Sequence, residues 1–124
     1  VKKILVIDDI RTLDIFTAKI TYARTGEEGL NELRKGGYDE LHLDHDLGMK
    51  IKEITKEGIA IASEEEAMNG CQVLLHALVE GIEIPPTVRI ISSNPVGVEN
   101  IKACLINDFG YKSVGFTGRM FIKA

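Results

Sequence analysis

The run KKILVID, residues 2–8, sets β-favouring apolar side chains one after another and then stops in acid. A strand that is apolar on both faces has to be buried on both, and that is the situation inside a parallel sheet. The pattern returns in DELHLD (39–44) and TVRIISS (87–93), and each run again ends in acid or hydroxyl. Segments of helical character lie between these runs. TGEEGLNELRKGG opens on Thr25 as an N-cap, carries Glu27 and Glu28 in its first turn and stops at Gly36 and Gly37. NGCQVLLHALVEG (69–81) repeats apolar residues at Val73, Leu74, Ala77 and Leu78 and ends at Gly81, and VENIKACLINDFG (98–110) ends at Gly110. With TAKITYA (17–23) as a second strand and KSVGF (112–116) as a fifth, strands alternate with helices. This predicts an α/β fold with an open parallel sheet.

The length of 124 residues suits one domain spanning 1–124, with its chemistry in one site. A net charge of −4 excludes tracking of a nucleic-acid backbone by bulk electrostatics, which needs clustered Lys and Arg. A small phosphate ligand remains compatible. No segment is long enough to span a membrane and no signal-peptide pattern opens the chain, so a cytoplasmic location is expected. Cys71 and Cys104 stand far apart and read as ordinary thiols. The pattern weakens from Gly48 to Met68, around Gly58, which fits either a β-hairpin or a mobile lid.

In an open parallel sheet, ligands collect beyond the carboxyl ends of the strands. Asp8 and Asp9 end the first strand, Asp44 the third, with His45 and Asp46 following, and Ser92, Ser93 and Asn94 close the fourth. Four carboxylates crowded there would repel one another unless protonated or neutralised. A divalent cation answers this, and all-oxygen ligands suit Mg²⁺ or Mn²⁺ better than Zn²⁺. Ser92, Ser93 and Asn94 are then candidates to hold phosphoryl oxygens, with Arg11 or Arg119 as a bidentate cation. His45 reads as a metal ligand, as a proton donor and acceptor, or as a loop histidine held by an aspartate. His42, on a sheet face, and His76, on a helix, read as structural.

Taken together, ILVIDDIR, LHLDHDLG, NG…VL and IISSNPVG resemble a receiver domain, and more narrowly the cyclic-phosphate processing receiver-like family of bacteria and phages. The resemblance covers most of the chain outside residues 49–68. It implies a flavodoxin-like sheet of about five strands in the order 2-1-3-4-5. It also implies a metal site at Asp8, Asp9 and Asp44, a phosphate-contacting hydroxyl at Ser92 or Ser93, and Asp44 at the phosphoacceptor position. The strand-5 lysine of receivers is missing, and Arg119 is the nearest substitute. Residues 10–16 leave room for one turn where receivers have a long first helix, and no last helix is expected after strand 5.

The function this implies is a metal-dependent phosphoesterase acting on cyclic phosphates, such as 2′,3′-cyclic ends of RNA or nucleotides. Asp44, His45 and Asp46 form its catalytic group, with His45 as general acid or base and Asp46 orienting it. The alternatives are a phosphoacceptor receiver modified on Asp44 and a non-catalytic nucleotide- or protein-binding module. Loss of two helices from one side leaves a sheet face in need of apolar cover. Residues 51–68, the tail RMFIKA or a second copy of the chain are the candidates, so a homodimer is expected.

Overall fold

The computed structural model describes residues 1–13, 17–47, 51–54, 56–57, 60–62 and 68–124. In chain order the elements are β1 (Lys2–Ile7), β2 (Ala18–Ala23), α1 (Gly26–Lys35), β3 (Glu40–Leu43), β4 (Ile51–Ile54), β5 (Ala60–Ala62), α2 (Gly70–Glu80), β6 (Thr87–Ile90), α3 (Pro95–Asn107), β7 (Tyr111–Val114) and β8 (Met120–Lys123). The main sheet runs β2-β1-β3-β6-β8-β7. Its first four strands are parallel, and β8 is antiparallel to both β6 and β7. Among the described residues this is an α/β fold with a mixed sheet and three helices.

The expected strand order holds for the first four positions and changes at the fifth. The tail RMFIKA, expected as candidate cover for the sheet rather than as a strand, supplies β8, which inserts between β6 and the edge strand β7. Two glycines of positive φ, Gly115 (78°) and Gly118 (68°), reverse the chain between β7 and β8, a conformation that residues with a Cβ avoid. Phe121 then brings the largest of the fully buried side chains into the core from β8. Burying so large an apolar surface outweighs the preference of an α/β sheet for parallel neighbours.

Each helix starts on a side chain that satisfies its free N–H groups. Thr25 Oγ1 accepts from Glu28 N at 3.1 Å, and Asn69 and Gln72 form a reciprocal capping box at 2.9 and 2.8 Å. Asn94 Oδ1 accepts from the N–H groups of Val96 and Gly97, and Pro95 occupies the first turn. Helix α3 therefore begins three residues before the expected Val98, because Asn94 and Pro95 form a helix start. β4 and β5 pair antiparallel, Ile54 opposite Ala60, which is the hairpin of the two expectations for this segment. Gly58 lies outside the described residues.

The helices share one face of the sheet. Leu5, Ile7, Leu41, Leu43, Val88 and Ile90 join a single core with Leu30 and Leu33 of α1, Val73, Leu74 and Ala77 of α2, and Ile101 and Leu105 of α3. Cutting one of the fully buried leucines back to alanine costs about 2–5 kcal/mol. Side-chain alternation turns Ile4 and Val6 to the opposite face, yet they are 1% and 0% exposed. The chain itself covers β1 there. Tyr22 contributes by accepting from Leu13 N at 2.8 Å and donating to Leu13 O at 2.9 Å, which ties the loop after β1 back onto β2. Residues 9–13 and 17 form no helix, as expected, and the side chains of the hairpin lie outside the described residues.

Among the described residues no helix is long and apolar enough to cross a membrane. Cys71 and Cys104 are free, and burial pushes the Cys104 thiol up to about 12.

Candidate functional site

β1 ends in a tight loop that the Asp8 carboxylate builds for itself. Asp8 is fully buried, and its Oδ1 accepts from the backbone N–H groups of Ile10 at 3.0 Å and Arg11 at 3.1 Å. This turns Arg11 back over the strand end. Arg11 Nη1 then donates to Asp8 Oδ2 at 2.9 Å and lies 3.3 Å from Asp44 Oδ2 at the end of β3. Parallel pairing of β1 with β3, Ile7 beside Leu43, is what brings the two strand ends together.

Asp8, Asp9 and Asp44 each offer an oxygen to a set lying within 4.8 Å, as expected for the metal position. Burial alone would raise the Asp8 carboxyl, but two backbone N–H groups and the Arg11 guanidinium outweigh it and hold the carboxyl below its usual range. Asp9 goes the other way. Burial first, then the charges of Asp8 and Asp44, push it above the usual range, against the pull of its own backbone N–H. One guanidinium thus leaves part of the negative charge uncompensated. Three hard oxygen donors with surplus negative charge form a set able to hold a divalent cation.

The fourth carboxylate does not join them. Asp46, with a side chain 62% exposed, instead accepts from His45 Nδ1 at 3.0 Å and from Asn94 Nδ2 at 3.4 Å. The loop after β3 bends at His45, so Asp46 faces the start of α3 rather than Asp8. His45 chiefly, with Asn94, holds the Asp46 carboxyl below its usual range despite slight desolvation. His45 is not part of the three-oxygen set, and its Nε2 has no partner among the described residues.

The fourth-strand residues are arranged around their own loop. Ser92 is buried, its Oγ accepts from Asn94 N at 3.1 Å, and Ser93 is exposed. Arg119, carried in by the start of β8, donates to the Ser92 carbonyl at 2.5 Å. It pins this loop, whereas Arg11 is the cation beside the carboxylates. Asn94 spends its carbonyl oxygen on capping α3 and keeps its amide on Asp46.

Three contributors escaped the sequence reading. Arg24, just past β2, donates through Nη1 to the carbonyls of Asp8 at 3.2 Å and Arg11 at 2.6 Å and sits over the Tyr22 ring, bracing the Asp8 loop. A Cβ at Gly70 would lie 2.1 Å from Asp44 O, and one at Gly97 would lie 2.4 Å from His45 Cγ. These two glycines let α2 and α3 approach the loop after β3. Both glycines stand in the motifs NG…VL and IISSNPVG, and that was the available signal.

Several solved structures share the fold, two of them as follows. One is a fusion that carries amino acids 181–211 of the yeast Spc42 trimeric coiled coil. It is 25% identical at a TM-score of 0.55, and the match covers 82% of this chain and 61% of that one. The chain thus spans less than two thirds of that protein's length. The other is the N-terminal domain of a response regulator/sensory box/GGDEF three-domain protein from Carboxydothermus hydrogenoformans. It is 24% identical at a TM-score of 0.52, covering 82% of this chain and 74% of that one, and its likeness bears on fold alone. No curated protein matches the chain. The family model described as the cyclic-phosphate processing receiver domain matches residues 3–107, from β1 through α3 and short of β7 and β8. The chain belongs to the cyclic-phosphate processing receiver domain family.

Proposed function

We propose that the domain is a metal-dependent phosphoesterase that opens cyclic phosphates, with 2′,3′-cyclic ends of RNA or nucleotides as its substrate class. The observation that carries this reading is the convergence of Asp8, Asp9 and Asp44 within 4.8 Å, in a chain of this family. A Mg²⁺ or Mn²⁺ held by these carboxylates supplies Lewis acidity toward a phosphoryl oxygen. Arg11, with a side chain 40% exposed, is free to turn toward the phosphate once its two carboxylates have another counter-charge. Asp46 holds His45 by Nδ1, which leaves Nε2 to take the proton of the attacking water. The water oxygen bonds to phosphorus, one ring ester bond breaks, and the proton passes from His45 to the departing ribose oxygen. The products are a phosphomonoester and a free hydroxyl. Ser92, whose Oγ already accepts one bond, has its hydroxyl proton to offer a phosphoryl oxygen.

The test is incubation with 2′,3′-cyclic nucleotides and cyclic-phosphate-ended RNA in Mg²⁺ or Mn²⁺, followed by phosphorus NMR. New phosphomonoesters that disappear with Asp44→Asn are expected. No product, with a base-labile phosphate on Asp44 after acetyl phosphate treatment, would replace this reading with a phosphoacceptor receiver. Binding without turnover would replace it with a binding module.

A further inference from the structure

The sheet delivers one more feature to the edge where the carboxylates gather. β8 runs antiparallel to β6, Met120 beside Arg89, so the turn joining β7 to β8 lies at the carboxyl end of β6. Gly115 and Gly118, both at positive φ, hold that turn, and between them Phe116 is fully exposed. A lone apolar side chain in water is ordinary. Phe116, however, immediately precedes Thr117, which with Arg119 walls an open cavity of about 280 Å³ against Pro95, Val98 and Lys102 of α3. Arg119 spends one N–H on the Ser92 carbonyl, and among the described residues neither it nor Lys102 has a carboxylate partner. Glu99 also lines the cavity, so the two cations leave it one net positive charge.

The cavity adjoins the acidic site through α3. Gly97, between the Pro95 and Val98 that line it, is the residue packed against His45. In the sheet order β3-β6-β8, two strand spacings, about 10 Å, separate the end of β3 at Asp44 from the start of β8. A cyclic phosphate held at Asp44 keeps its own ribose near His45, and the phosphodiester leading to the next nucleotide upstream comes within reach of Lys102 and Arg119. Cations take a phosphate, and an exposed aromatic ring takes a base whatever its identity. It is this combination, rather than Phe116 alone, that fits a nucleic-acid strand. A net charge of −4 rules out a long backbone track, not one or two phosphates. We infer that this edge is a second-nucleotide subsite, and that the substrate is the single-stranded 3′ end of an RNA rather than a free cyclic mononucleotide. The phosphodiester pairs with Lys102 and Arg119, and the penultimate base stacks on Phe116. The placing of the cyclic phosphate rests on the phosphoesterase reading above.

The test compares a uridine dinucleotide bearing a 2′,3′-cyclic end with uridine 2′,3′-cyclic phosphate, as kcat/KM of the full chain in Mg²⁺. The dinucleotide should be opened about tenfold more efficiently. Phe116→Ala, at an exposed position, should bring the ratio of the two close to one with circular dichroism unchanged. Lys102→Gln should lower the ratio several-fold and flatten its dependence on salt. A second readout needs no turnover. The chain has no tryptophan, so Phe116→Trp places a single indole at the subsite. Its emission should be quenched by the dinucleotide ending in a 3′-phosphate at concentrations about tenfold below those of uridine 3′-phosphate. A ratio near one in the parent protein, or one that Phe116→Ala leaves intact, overturns the subsite while the phosphoesterase reading stands. Quenching by the dinucleotide without turnover of either substrate strikes the phosphoesterase reading and keeps the strand-binding edge. Indole emission that neither ligand alters, or that both alter equally, overturns the subsite as well.

Discussion

His45 occupies the space that a side chain at Gly97 would need: a Cβ there would lie 2.4 Å from Cγ and 2.7 Å from Nδ1 of the imidazole. Gly97→Ala should favour α3 intrinsically by up to about 1 kcal/mol. The overlap with His45 outweighs this, and a net loss of about 1–3 kcal/mol is expected. Thermal unfolding measures the loss, and the displaced His45 resonances in NMR locate it. An alanine variant as stable as the parent, with unmoved His45 signals, would show that the two residues do not touch.

Arg11 and a divalent cation compete for the same oxygens. Arg11→Gln should cost about 1 kcal/mol in metal-free protein, a modest figure because the guanidinium is partly screened by solvent. The same change should tighten Mg²⁺ binding several-fold, since one positive charge no longer has to be displaced. Thermal shift against Mg²⁺ concentration reads both effects. Weaker metal binding in the variant would mean that Arg11 organises the site rather than filling it.

The carboxylates make opposite contributions to acid stability. Asp8 and Glu40 are held below their ordinary values of 3.8 and 4.5, so the stability they add is complete above those values and lost as pH falls through the lower folded ones. Asp9 is held above 3.8, so its contribution is present below that value and lost as pH rises through the folded one. Asp9→Asn should therefore raise the metal-free Tm at neutral pH, by about 1–3 °C after allowing for solvent screening. The gain should shrink below roughly pH 4. Urea unfolding across pH checks the sign. A variant less stable at neutral pH would contradict the like-charge account of Asp9.

His45→Ala should lower turnover by about 10²–10⁴-fold with the fold retained. Asp46→Asn, which still accepts a hydrogen bond, should lose less. Steady-state rates on the best cyclic phosphate, with circular dichroism as the fold control, separate the two. Full activity of His45→Ala would move the proton carrier elsewhere.

The acidic pair and Asp44 were legible because a parallel sheet delivers every strand end to one edge, whatever the helices do. The starts of α1 and α2 were legible because Thr25 and Asn69 act within a few residues of their own position. Asn94-Pro95 carries two local meanings, turn and helix start, and only the packing of α3 selects between them. The place of β8 is a long-range choice: four residues reveal neither their partner strand nor its direction, and the burial of Phe121 decides it. Asp46 was wrongly grouped with the other acids because sequence spacing does not show which way a loop bends. Gly70 and Gly97 carry no chemistry of their own, so their use appears only when Asp44 and His45 are set against the helices.

The most direct measurement is Mn²⁺ titration of one sample read two ways, by bound-ion paramagnetic relaxation and by the rate of 2′,3′-cyclic nucleotide opening. The expected result is a common half-saturation for binding and rate, with both lost in Asp44→Asn. Turnover that survives chelation of the metal, or that Asp44→Asn retains in full, would contradict a reaction centred on Asp8, Asp9 and Asp44.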